Sequence, residues 1–114
     1  MKNINYSTNW NNKLDCKNYT SIRLEGNSKY IIGESYNVTL KKEYKHNARL
    51  VDKRPLTLST INEWIARLDT GYGAKETVRM LRRMYSKKKI DLDKAPFVFL
   101  LFTQNQTKRS NNGT

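Results

Sequence analysis

The stretch 56–85, LTLSTINEWIARLDTGYGAKETVRMLRRMY, constrains this chain most, because it reads as two helices joined by a tight turn. Ile61, Trp64, Ile65 and Leu68 fall at i, i+3, i+4 and i+7, a single apolar stripe. Thr60 and Glu63 have capping-box spacing, which predicts a helix start near Thr60. Glu63 and Arg67 stand four apart in the favourable order. In the second helix Ala74, Thr77, Val78, Leu81, Met84 and Tyr85 share one side. Lys75, Arg79 and Arg82 share another, with Arg83 beside them. Between the helices lies Asp69-Thr70-Gly71-Tyr72-Gly73, whose two glycines permit backbone angles that other residues avoid. A helical hairpin with one apolar face needs a surface to cover, and the rest of the chain supplies strands.

The apolar run at 97–102, FVFLLF, has strand length and no alternation, the pattern of a strand buried on both faces. Residues 17–24 are rich in Tyr, Thr and Ile, and alternation puts Thr20, Ile22 and Leu24 on one face and Tyr19, Ser21 and Arg23 on the other. Residues 25–28, EGNS, are turn chemistry. Tyr36, Val38 and Leu40 alternate, and Ala48, Leu50 and Val51 return, so 35–52 reads as a hairpin with a charged turn at 43–47. Leu56 and Leu58 alternate again in a short segment begun by Pro55. The Asn-rich start, 1–14, carries Tyr6 and Trp10, read as aromatics plugging one end of the core. Five or six strands with two helices make an α+β domain, and short antiparallel strands without tolerable free edges favour a small, partly closed β-barrel. The helical hairpin is expected to pack on one side by the Ile61/Trp64/Ile65/Leu68 stripe, with 1–103 as one domain and 104–114 as a polar, flexible tail.

A net charge of +12 on 114 residues repels itself, so the surface is expected to meet something acidic. Lys41, Lys42, Lys45 and Arg49 cluster on the hairpin, and Lys75, Arg79, Arg82 and Arg83 on the second helix; together they are the candidate nucleic-acid contacts. No apolar run is long enough for a bilayer, and the first residues have no signal-peptide core, so a cytoplasmic protein is expected. One cysteine and one histidine do not make a zinc site, and no metal or cofactor is expected.

Several pieces in order carry a resemblance: residues 17–24, the G-x-x-Y-x-V at 33–38, the T-L-x-x-I-x-E at 57–63, and the Arg-Arg-Met-Tyr at 82–85. Together, over roughly residues 6–102, they resemble the ASCH domain of the PUA-like superfamily of small β-barrels. That resemblance implies binding of RNA or a modified nucleoside in a cleft beside the barrel. One branch, the small bacterial N4-acetylcytidine amidohydrolases, is catalytic and uses a Lys, a Thr and a Glu. Its K-x-x-T-x-R pattern, set on Arg23, places the threonine on Ser21 and the lysine on Asn18, with Lys17 one residue away. Its glutamate falls at or beside Asp69. A shift of one residue on a strand turns a side chain to the other face, so Lys17 is displaced and binding without efficient deacetylation is expected.

The candidate catalytic set is therefore Ser21, Asp69 and Lys17, and the candidate ligand-binding set Arg23, Tyr72 and Thr20. Asp69 sits near a helix C-terminus, against the negative end of the dipole, a cost that function would justify. Tyr72 offers an aromatic face for a base. Three functions are expected, in this order: a monomeric RNA- or nucleoside-binding module, an enzyme acting on a modified nucleoside or cleaving RNA, and a basic adaptor or inhibitor that binds an acidic protein.

Overall fold

The computed structural model describes residues 2–25 and 29–105. Most of the expected turn at 25–28 and most of the expected tail lie outside the described residues. The chain forms an α+β fold with a curled five-stranded mixed sheet, a half-barrel, and few helices. The strands are β1 (Lys2–Tyr6), β2 (Asn18–Leu24), β3 (Ser35–Leu40), β4 (Glu43–Leu56) and β5 (Phe97–Gln104). Their order across the sheet is β1-β3-β4-β5-β2. β1 runs parallel to β3, and every other pair is antiparallel. The helices are α1 (Glu63–Thr70) and α2 (Ala74–Met84), with short 3₁₀ segments at Trp10–Asp15 and Leu58–Thr60.

Two register shifts curl the sheet, one at Val38/Thr39 and one at Leu50/Asp52. Each extra residue bends its strand and increases local twist. The concave face gathers Ile4, Tyr6, Tyr19, Tyr36, Val38, Leu50, Leu100 and Phe102 into one core. The other face, at the end where the helices pack, buries Ile22, Leu56, Leu58, Ile61, Ala66, Leu81 and Phe97. β5 is paired on both sides and lends side chains to both cores, as its unbroken apolar run requires. Leu101 alone in that run is exposed.

The N-terminal aromatics are not a simple plug. Residues 2–6 form an edge strand whose alternation buries Ile4 and Tyr6, opposite Val38 and Leu40. The hairpin turn also differs from expectation. It lies at Lys41 and Lys42, and residues 43–47 continue in β4. β4 runs on through Pro55 to Leu56, so no separate strand forms there.

Only part of the expected apolar stripe packs on the core: Ile61 is buried and Ile65 partly buried against it, whereas Trp64 and Leu68 face outward. The first helix begins at Glu63, with Asn62 as N-cap accepting from Ile65 N at 2.9 Å, not at Thr60. Trp64 is 78% exposed and Leu68 63% exposed. The buried face is Ala66, Asp69 and Thr70. Polar contacts select it: Thr70 Oγ1 donates to Ala66 O and meets Thr77 Oγ1 of α2 at 2.9 Å, while Asp69 is anchored from the strand side. Once buried, such groups must be paired, because one left unsatisfied costs about 1–3 kcal/mol. α2 is oriented as its pattern predicts, with Thr77 and Leu81 buried and Lys75, Arg79 and Arg82 outside.

Candidate functional site

β1 and β2 are the two edges of the sheet, and the half-barrel is left open between them. No ladder joins them; side chains do. Arg23 of β2 donates from Nη2 to the carbonyl of Asn5 in β1 at 2.8 Å. Its guanidinium lies over the Tyr6 ring, 4.6 Å from the centroid. Tyr6 meets Tyr19 of β2 edge-to-face at 6.2 Å. The seam so formed holds a cleft of about 120 Å³, lined by Tyr6, Lys13, Ser21, Arg23, Asp69 and Tyr85 among others. That is room for several waters or for a flat polar ring.

Ser21 and Arg23 come to the cleft by strand alternation, on the face that Tyr19 shares. Arg23 Nε donates to Ser21 Oγ at 2.9 Å, which leaves the Ser21 proton to be donated elsewhere. Asp69 arrives from the last turn of α1, which Gly71 ends in the left-handed region at φ 84°. A Cβ on Gly71 would lie 3.4 Å from the Asn11 side chain, so the helix end packs closely on the 3₁₀ segment.

That segment brings a residue the sequence did not single out. Asn11 and Asn12 take φ of 59° and 52°, angles that asparagine tolerates better than most residues. Asn9 Oδ1 accepts from Leu14 N at 2.9 Å, and Leu14 is anchored in the core. Lys13 is thereby turned inward, 6% exposed, with Nζ 2.9 Å from Asp69 Oδ1. The same oxygen accepts from Thr20 Oγ1 at 2.8 Å. Burial lowers the Lys13 pKa, and the Asp69 carboxylate opposes that shift. The Lys13 cation also offsets the unfavourable placement of Asp69 at a helix C-terminus.

The Tyr6 hydroxyl is the one buried group of the cleft left without a hydrogen bond. It lies beside Ser21 and Arg23 but in satisfactory geometry with neither. Burial raises its pKa, with Arg23 pulling the other way. An orphaned buried hydroxyl costs about 1–3 kcal/mol, a cost that a polar ligand atom would remove.

The structure thus brings Ser21, Arg23 and Asp69 to one cleft, with Thr20 bonded to Asp69 from the strand's other face. It does not bring Lys17 or Tyr72. Lys17 is exposed and lines a separate cleft with His46 and Lys45, because it precedes β2 at the far end of that strand. Tyr72 lies in the turn after α1, 46% exposed and outside the lining. Arg23 contacts Ser21 and Asn5 rather than Asp69, whose cation is Lys13. The basic residues Lys41, Lys42, Lys45, Arg49, Lys75, Arg79, Arg82 and Arg83 are all exposed, and Arg82 is paired with Asp93. A missed signal for Lys13 was its position after two asparagines, the residues that best allow a chain to turn a side chain inward at positive φ.

No family model matches the chain, and no curated protein or solved structure matches it. Among the described residues no helix is long and apolar enough to cross a membrane.

Proposed function

We propose that the seam cleft binds one nucleobase, ordinary or modified, presented by a nucleoside or by RNA. In this proposal the half-barrel is a PUA-like domain of the ASCH kind, acting in the cytoplasm as a monomer. The observation that carries it is the buried, unpartnered Tyr6 hydroxyl, set among Ser21, Arg23 and the Lys13–Asp69 pair. Such a set supplies directional donors and acceptors over a small flat volume, next to an aromatic ring. A base edge presents donors and acceptors of that kind. The test is equilibrium binding of N4-acetylcytidine and the four ribonucleosides, with Ser21→Ala and Arg23→Ala as controls. Saturable binding by at least one ligand, weakened in both variants, is the expected result. Binding that neither substitution alters would refute the assignment.

One observation favours a hydrolytic reading as the second choice. Lys13 supplies a buried lysine against Asp69, in the cleft that Ser21 lines. A carboxylate can accept a proton, and a buried ammonium beside it can face an oxyanion. In that reading the Asp69 carboxylate takes the Ser21 proton, Oγ attacks the amide carbonyl, and the Lys13 ammonium faces the developing oxyanion. The C–N bond then breaks as the leaving amine receives the proton, and water releases the acyl group from Oγ. Release of cytidine from N4-acetylcytidine, abolished by Ser21→Ala and by Asp69→Asn, would establish it.

A further inference from the structure

The turn between β3 and β4 is built from residues that disfavour its conformation. Lys41 and Lys42 both have positive φ, 52° and 70°. Two-residue hairpin turns with positive φ at both positions normally use Asn-Gly, Asp-Gly or Gly-Gly. Lysine pays a steric cost there that glycine avoids. The local fold holds both in place from one side. Lys41 N donates to the Tyr6 carbonyl at 2.7 Å. Lys42 N donates to Asn5 Oδ1 at 2.9 Å, and that oxygen also accepts from Thr39 Oγ1 at 2.6 Å. Asn5 and Tyr6 are themselves walls of the seam cleft, and the Asn5 carbonyl is the acceptor for Arg23. Both lysine side chains are exposed. The strained turn therefore ties the backbone of two lysines, by one hydrogen bond each, to residues that line the cleft.

We infer that the Lys41–Lys42 turn grips backbone phosphate at the rim of the seam cleft, so that the ligand is a nucleotide within single-stranded RNA rather than a free nucleoside. This rests on the base-binding reading of the cleft. A base seated in the cleft has its ribose, and the phosphates attached to it, at the mouth. A duplex would have to extrude that base first, whereas a single strand presents it directly. Lysine acts on phosphate as a point charge that needs no bidentate geometry, which suits an exposed turn. The strain is explained as well: Asn-Gly would make the better turn but would carry no charge.

The experiment compares N4-acetylcytidine with a five-nucleotide RNA carrying it at the centre, on the wild-type protein and on the Lys41→Asn/Lys42→Gly variant. The variant takes the favoured turn residues, so it folds and melts higher than wild type. The wild type is expected to bind the pentamer at least about tenfold tighter than the nucleoside near physiological salt, two phosphate contacts each contributing about 0.7 to the salt slope. The variant is expected to lose that advantage, to flatten the slope by about 1.4, and to keep its nucleoside affinity. A pentamer no tighter than the nucleoside, or a variant that keeps the advantage, overturns the inference. Pentamer binding that needs the lysines but ignores Ser21→Ala and Arg23→Ala would refute the cleft reading and leave the turn as a separate RNA contact. Binding of neither probe refutes both.

Discussion

Lys13 and Asp69 form the one buried ion pair among the described residues, and their removal has a signed pH signature. Their side chains are 6% and 3% exposed, with Nζ and Oδ1 2.9 Å apart. Removing one partner of a buried pair costs about 3–5 kcal/mol, because the other charge is left uncompensated. Asp69→Asn leaves the ammonium alone, but lysine can release its proton. Burial already lowers the Lys13 pKa, and Asp69 is the main influence opposing it. Without Asp69 it falls further. A lysine whose folded pKa lies below its unfolded value, about 10.4, binds more protons when unfolded. Stability of Asp69→Asn therefore rises with pH between the two values. Lys13→Met leaves the carboxylate buried without its cation instead, at a similar cost. Replacing both residues, Lys13→Met with Asp69→Leu, restores most of the loss, since a packed apolar pair is often neutral. Urea unfolding followed by tryptophan fluorescence at pH 6, 7.5 and 9 reads all three. At neutral pH each single variant is expected to melt about 12–20 °C lower, at about 4 °C per kcal/mol for a cost of about 3–5 kcal/mol. Single variants within about 0.5 kcal/mol of wild type, the range of an ordinary surface change, or an Asp69→Asn stability that does not rise with pH relative to wild type, would refute the reasoning.

Three smaller perturbations follow from the same geometry. Tyr6→Phe deletes the unpartnered hydroxyl, so the free protein is expected to hold its stability or gain about 1 kcal/mol while ligand affinity falls; a stability loss would mean that the hydroxyl is already satisfied. Asn12→Val places a β-branched residue at φ 52° and is expected to cost about 1–2 kcal/mol, whereas Asn12→Gly is tolerated; equal melting temperatures for the two would contradict the left-handed turn. Trp64→Ala is expected to change stability by no more than about 0.5 kcal/mol, and a loss of several kcal/mol in thermal unfolding would show that Trp64 is buried after all.

The β elements were legible where one physical signal dominated. The alternation at 19–24 put Ser21 and Arg23 on one face, and the FVFLLF run marked a strand that serves both cores. The stripe at Trp64 and Leu68 misled because apolar spacing was weighed and buried polar contacts were not. Ile61 precedes the helix, and Asp69 with Thr70 decides which side turns inward. β1 was hidden by asparagine, a poor strand former, although Ile4 and Tyr6 alternate as a strand edge should. Lysine at positive φ hid the turn at Lys41 and Lys42, and a lysine is so seldom buried that Lys13 drew no notice. Asp69 at a helix C-terminus was the one visible hint that a cation must come to meet it.

The central claim, that the gap between the sheet edges receives a nucleobase, is tested most directly by titrating isotope-labelled protein with N4-acetylcytidine and the four ribonucleosides and following backbone amide shifts. The expected result is saturable change concentrated at Asn5, Tyr6, Lys13, Ser21, Arg23 and Asp69, from the two edge strands and the two segments that flank them. Shifts confined to the exposed face of α2, or no saturable change with any of the five ligands, would contradict it.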